Sequence, residues 1–144
     1  MEIFERAVEW VKQQQEIICK SGSSLTLEQA AIATQVGVFR PEKIRILSVN
    51  GILPPDDQLL RKISEEMNFI GPETMGLTLG YGLYLRSGYI PDRLLSHEFR
   101  HVHQYEKAGS IKVFIYEYLQ QVFRHGYYDA PYEVDARAHE IIHK

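Results

Sequence analysis

Through residues 2–20, Ile3, Phe4, Ala7, Val8, Val11, Ile17 and Ile18 stand among charged and glutamine positions, a spacing that predicts an amphipathic helix. Ser21-Gly22-Ser23-Ser24 breaks it, and Thr26 with Gln29 three residues on predicts a capped second helix reaching about Val36. Beyond Pro41, charged and apolar residues alternate from Lys43 to Val49 and stop at the turn pair Asn50-Gly51, which predicts a strand. Pro54-Pro55-Asp56-Asp57 then opens a helix over about 56–68, with Leu59, Leu60, Ile63 and Met67 on its buried side.

From Met75 to Ile90 the chain is rich in Leu and Tyr and broken by glycine. One or two short strands are expected there, paired as a hairpin or with the strand near residue 46. Such a strand at a sheet edge is suited to hold an extended peptide through its backbone. Pro91-Asp92-Arg93-Leu94-Leu95 starts the next helix, about 91–107, and Gly109 ends it. Residues 110–124 are apolar nearly all round, which predicts a buried scaffold helix. A loop at 125–131 leads to a last helix over about 131–143, seated by Pro131.

The chemistry is concentrated in Ser96-His97-Glu98-Phe99-Arg100-His101. On a helix, residues four apart are separated by about 40° around the axis and about 6 Å along it, so His97 and His101 can offer two imidazoles to one metal ion. Glu98 flanks both, where a carboxylate can act as general base toward metal-activated water. His139-Glu140-Ile141-Ile142-His143 repeats the pattern. The first copy is favoured because it follows a clear helix start and leaves downstream chain for a third ligand, whereas the second lies where helices fray.

A catalytic zinc site needs that third ligand and an open fourth position. Glu133 is the candidate; it shares a helix face with Ala136, whose small side chain lets two helices approach closely, while Asp135 points about 200° away. Asp135 is then expected either to orient a ligand imidazole through its N–H or to pair with His139 four residues on. Gln104 falls near the metal face, whereas His103 faces elsewhere. His125, Tyr127 and Tyr128, in the loop before Glu133, are candidates to stabilise an oxyanion.

With 144 residues, 44% hydrophobic and 24% charged, the chain is expected to form one domain, 1–144: helices over 1–37, strands and one helix over 42–90, then the metal-binding and third-ligand helices. A net charge of -3 without a basic run argues against a nucleic-acid partner. The single cysteine, Cys19, rules out an internal disulfide, and acids in Met1-Glu2-Ile3-Phe4-Glu5-Arg6 do not suit a secretory signal, so a cytoplasmic location is expected. No run approaches the roughly 20 apolar residues of a membrane span.

His97-Glu98-x-x-His101 followed by Pro131-Tyr132-Glu133-Val134-Asp135-Ala136 resembles the zincin metallopeptidases of the gluzincin type, in which a glutamate on a later helix completes the zinc site. The flanking Gly-Leu-Thr-Leu-Gly-Tyr-Gly-Leu-Tyr-Leu and Val-His-Gln-Tyr-Glu-Lys-Ala-Gly are similar to small bacterial proteins of that class. The resemblance covers roughly residues 34–140. It implies an α+β zincin-like core of several helices on a small mixed or antiparallel sheet, one Zn2+ held by His97, His101 and Glu133, and Glu98 as base. The expected activity is hydrolysis of a peptide or protein substrate; a non-catalytic, zinc-stabilised binding or regulatory domain is the alternative.

Overall fold

The capping box expected at Thr26 forms: its hydroxyl accepts from the Gln29 N–H (3.1 Å), and the Gln29 side chain accepts from the Thr26 N–H (2.9 Å). Two of the orphan donors at the start of a helix are satisfied in this way. In a computed structural model describing residues 2–143, helix α1 (Ile3–Ser21) is followed by a short strand β1 (Ser23–Ser24) and the capped helix α2 (Leu27–Gln35). A 3-10 turn over Pro41–Lys43 leads into β2 (Arg45–Val49). Helix α3 (Gln58–Glu66) begins later than the prolines suggest, because Asp57 caps it through Leu59 N–H (3.0 Å) and Leu60 N–H (3.1 Å).

The glycine-broken segment forms β3 (Gly76–Leu79) and β4 (Gly82–Arg86), and both expected pairings occur together. β3 and β4 make an antiparallel hairpin while β4 lies parallel to β2, giving a mixed sheet in the order β1-β2-β4-β3 with β3 at one edge. Helices α4 (Asp92–Ala108), α5 (Ile111–His125) and α6 (Pro131–Ala138) complete the chain. Gly109 ends α4 in the left-handed region (φ 94°), where a residue without Cβ is least strained. Six α-helices and four strands among the described residues make the fold α+β.

Alternation along the strands divides the sheet between two apolar layers. Ile46, Leu83 and Leu85 face α4 and α2, where they meet Phe99, Val102 and Ala33. Leu47, Leu77, Leu79 and Tyr84 face the opposite way, toward Val8, Val11 and Ile18 of α1 and Phe114 and Leu119 of α5. Phe99, Val102 and Leu83 are fully buried, each contributing roughly 1.5–3 kcal/mol by the area removed from water. The middle of α4 is therefore clamped against the sheet, and its motif residues are carried on a rigid element.

Two expectations about the later helices are corrected. α6 stops at Ala138 rather than running to about 143. The His139 ring bonds the Asp135 carbonyl (2.8 Å), the acceptor a continuing helix needs, and the His139 N–H turns to Ala136 instead (3.2 Å). The chain beyond is fastened to α4 by Ile141 N–H to Ser96 Oγ (2.8 Å) and His143 to Asp92 (2.7 Å). His139 to His143 is thus not a helical metal motif. α5, expected to be scaffold buried on several sides, exposes Val113 and Phe123 and sends Tyr118 into the site.

No helix among the described residues is long and apolar enough to cross a membrane. Cys19 is exposed.

Candidate metal centre

One turn of α4 separates His97 from His101, and their ring centroids lie 5.0 Å apart. α6 packs against this face through the fully buried Ala136, bringing Glu133 between the rings. His97 Nε2 lies 3.1 Å from Glu133 Oε1, and His101 Nε2 lies 3.2 Å from Glu133 Oε2. One donor atom from each of the three residues falls within 4.8 Å of the others. Donors around a tetrahedral zinc, with bonds near 2.0–2.1 Å, are roughly 3.3 Å apart, a spacing that the two histidine–Glu133 pairs match.

The outer ring nitrogens are also engaged. His97 Nδ1 lies 2.8 Å from Glu140 Oε2, and His101 Nδ1 lies 2.7 Å from Gln104 Oε1. The Gln104 amide is fixed in that sense because its Nε2 donates to the Tyr132 carbonyl (2.9 Å) and to Asp135 Oδ2 (2.8 Å). Each imidazole therefore faces an oxygen acceptor at both nitrogens. A neutral ring has only one N–H, so the arrangement needs positive charge between the Nε2 atoms and Glu133, either a proton on each ring or a cation shared by both. With both Nδ1 atoms occupied by acceptors, the Nε2 lone pairs of the neutral rings point toward Glu133, as metal ligation requires. The residues present fit zinc.

The electrostatics express the same demand. Burial opposes protonation of His101, but the Glu133 carboxylate outweighs it and raises the pKa to about 9. His97 is also raised, burial again opposing and Glu133 and Glu98 prevailing. Burial would raise Glu133, yet His101, His97 and Tyr118 hold it well below the usual carboxylate range. Tyr118 Oη donates to Glu133 Oε2 (2.6 Å), and burial together with that carboxylate keeps the phenol protonated.

Glu98 is buried on the flank of α4 facing β3. Thr78 Oγ1 donates to Glu98 Oε1 (2.8 Å), the shorter of its contacts with that residue. Gly76 leaves the room: a Cβ there would lie 3.0 Å from Glu98 Cγ and 3.2 Å from its Cδ. Glu98, His101 and Glu133 share the wall of a cavity of about 140 Å³ that passes the edge strand toward α1 and α3. Tyr118 and Tyr127 line it too. Burial, then the charges of Glu133 and Glu98, raise the Tyr127 pKa, so its phenol stays a donor.

Of the candidates expected near the site, His97, His101, Glu133, Glu98, Gln104 and Tyr127 come together. Tyr128 and His125 do not. Tyr128 is exposed, its ring under the Arg137 guanidinium (3.8 Å), and His125 is exposed at the end of α5. His103 bonds the Gly37 carbonyl (2.7 Å), away from the metal face as its angle predicts. Asp135 pairs with Arg100 (2.8 Å) and His139 (3.4 Å) and reaches His101 only through Gln104.

Sequence reasoning missed Glu140, Tyr118 and Thr78. Glu140 was visible only as part of the second His-Glu motif; nothing in the spacing signalled Tyr118 or Thr78, which packing alone brings in. No family model, curated protein or solved structure matches the chain.

Proposed function

We propose that this chain is a zinc-dependent peptidase of the gluzincin type, with His97, His101 and Glu133 as ligands and Glu98 as general base. The observation that carries this reading is the convergence of the three donors within 4.8 Å, with Glu98 on one cavity wall with two of them, His101 and Glu133. Zinc bound there supplies Lewis acidity toward a carbonyl oxygen and a coordinated water of lowered pKa. Thr78 holds Glu98 Oε1, leaving Oε2 to take a proton from the nucleophile and pass it to the leaving amine. Tyr127, kept protonated, is the donor available to a developing oxyanion. The edge strand β3, next to Glu98, favours an extended peptide at its half-buried start, Gly76–Leu77.

Glu98→Gln is the test. It should lower hydrolysis of a peptide library by roughly 10²–10⁴-fold while zinc content and circular dichroism stay unchanged. Undiminished turnover in that variant refutes the mechanism. One observation favours a second reading, a non-catalytic zinc-stabilised domain: ligands on α4 and α6 are tied to α5 through Tyr118 and to the terminal segment through Glu140, so a single ion would cross-link four segments. Stoichiometric zinc in wild-type protein, without turnover of any library peptide, selects that reading.

A further inference from the structure

The cavity beside Glu98 continues past β3 to a wall formed by α1 and α3, with Trp10, Leu60 and Ile63, flanked by Phe69 and by Leu119 of α5. A buried hydroxyl interrupts that wall. Ser64 of α3 lines the cavity and is 4% exposed, and its Oγ has no hydrogen-bond partner among the described residues. Buried hydroxyls are seldom left unpaired, because the desolvation cost of the group is then uncompensated. The charged residues on the lining, Glu98, His101 and Glu133, come from α4 and α6, so nothing on the α1 and α3 wall invites a charged ligand. A volume of about 140 Å³ is close to that of apolar cavities that hold one benzene ring.

We propose that this cavity binds one ring-sized apolar group carrying a hydroxyl, of the phenolic class, with the ring among the apolar side chains and the hydroxyl bonded to Ser64 Oγ. Naming that group as a substrate side chain, tyrosine-like and next to the scissile bond, rests on the peptidase reading above; the ligand chemistry of the cavity does not. The probes are 4-methylphenol and toluene, titrated into the full chain by calorimetry and by ligand-observed NMR, with zinc content measured in parallel. Wild-type protein should bind both, and Ser64→Ala should weaken 4-methylphenol about three- to tenfold while leaving toluene unchanged or tighter.

Failure of wild-type protein to bind either probe overturns the proposal. So does a Ser64→Ala variant, folded by circular dichroism, that loses both probes equally or neither. These titrations need no turnover, so a protein that binds 4-methylphenol selectively yet hydrolyses nothing upholds the cavity assignment and removes only the peptidase reading. Loss of selectivity in an active, zinc-loaded protein does the reverse.

Discussion

Zinc binding to this site should be strongly coupled to proton release, and the size of the coupling follows from the pairing of His101 with Glu133. Zinc takes neutral imidazoles. With Glu133 raising the His101 pKa to about 9, the metal-free protein at pH 7 carries a proton there that the ion must displace. The two-unit gap costs about 2.7 kcal/mol, or ~100-fold in affinity. Affinity should therefore climb about tenfold per pH unit between pH 7 and 9, and more steeply wherever His97, also raised, is still protonated. An imidazole at its ordinary value of 6.5 would give a nearly flat dependence over that range. Calorimetric titration of zinc into metal-free protein at pH 7.5, in two buffers of different ionisation enthalpy, counts the protons released. Between about one and two per zinc are expected; a count near zero would refute the coupling.

The same pairing sets the stability of the metal-free protein. His101, with its raised pKa, contributes stability that is fully present below about pH 6.5 and lost as pH rises through about 9. Glu133, with its lowered pKa, contributes stability present above its ordinary 4.5 and lost in acid. Metal-free protein should accordingly melt highest between about pH 4.5 and 6.5, and zinc should add most stability on the alkaline side.

Two substitutions probe the parts around the ligands. Glu140→Ala leaves His97 Nδ1 without its carboxylate and should weaken zinc binding about 10–100-fold in a competitive chelator assay, with the helical content unchanged; unaltered affinity would deny Glu140 an orienting role. Gly76→Ala places a methyl group against Glu98 and Leu85, a crowding expected to cost about 1–3 kcal/mol and to lower turnover more than zinc content. Equal loss of both would mean that the strand, rather than Glu98, had moved.

Local rules were enough for much of this molecule. Helical periodicity set His97 and His101 on one face of α4 and turned His103 away, the Thr26 and Gln29 pair fixed the start of α2, and the Leu- and Tyr-rich, glycine-broken segment marked the strands β3 and β4 without choosing between their two pairings. These features depend on residues within a few positions of one another, where backbone geometry alone decides who are neighbours. Glu133 was picked out through its register with Ala136 on the last helix, and its carboxylate lies beside both rings.

Tertiary packing decided the rest. Spacing along α6 left Asp135 either behind a ligand histidine or paired with His139; it pairs with His139 and Arg100, and Glu140 takes the place at His97 because the chain leaves the helix after Ala138 and is pinned to Ser96 and Asp92. Tyr118 reaches Glu133, Thr78 reaches Glu98, and Ser64 faces the cavity because α5, β3 and α3 pack where they do. Partners 15 to 43 residues apart meet only when a shared core fixes the separation and angle of whole elements, and that relation leaves no periodic trace along the chain.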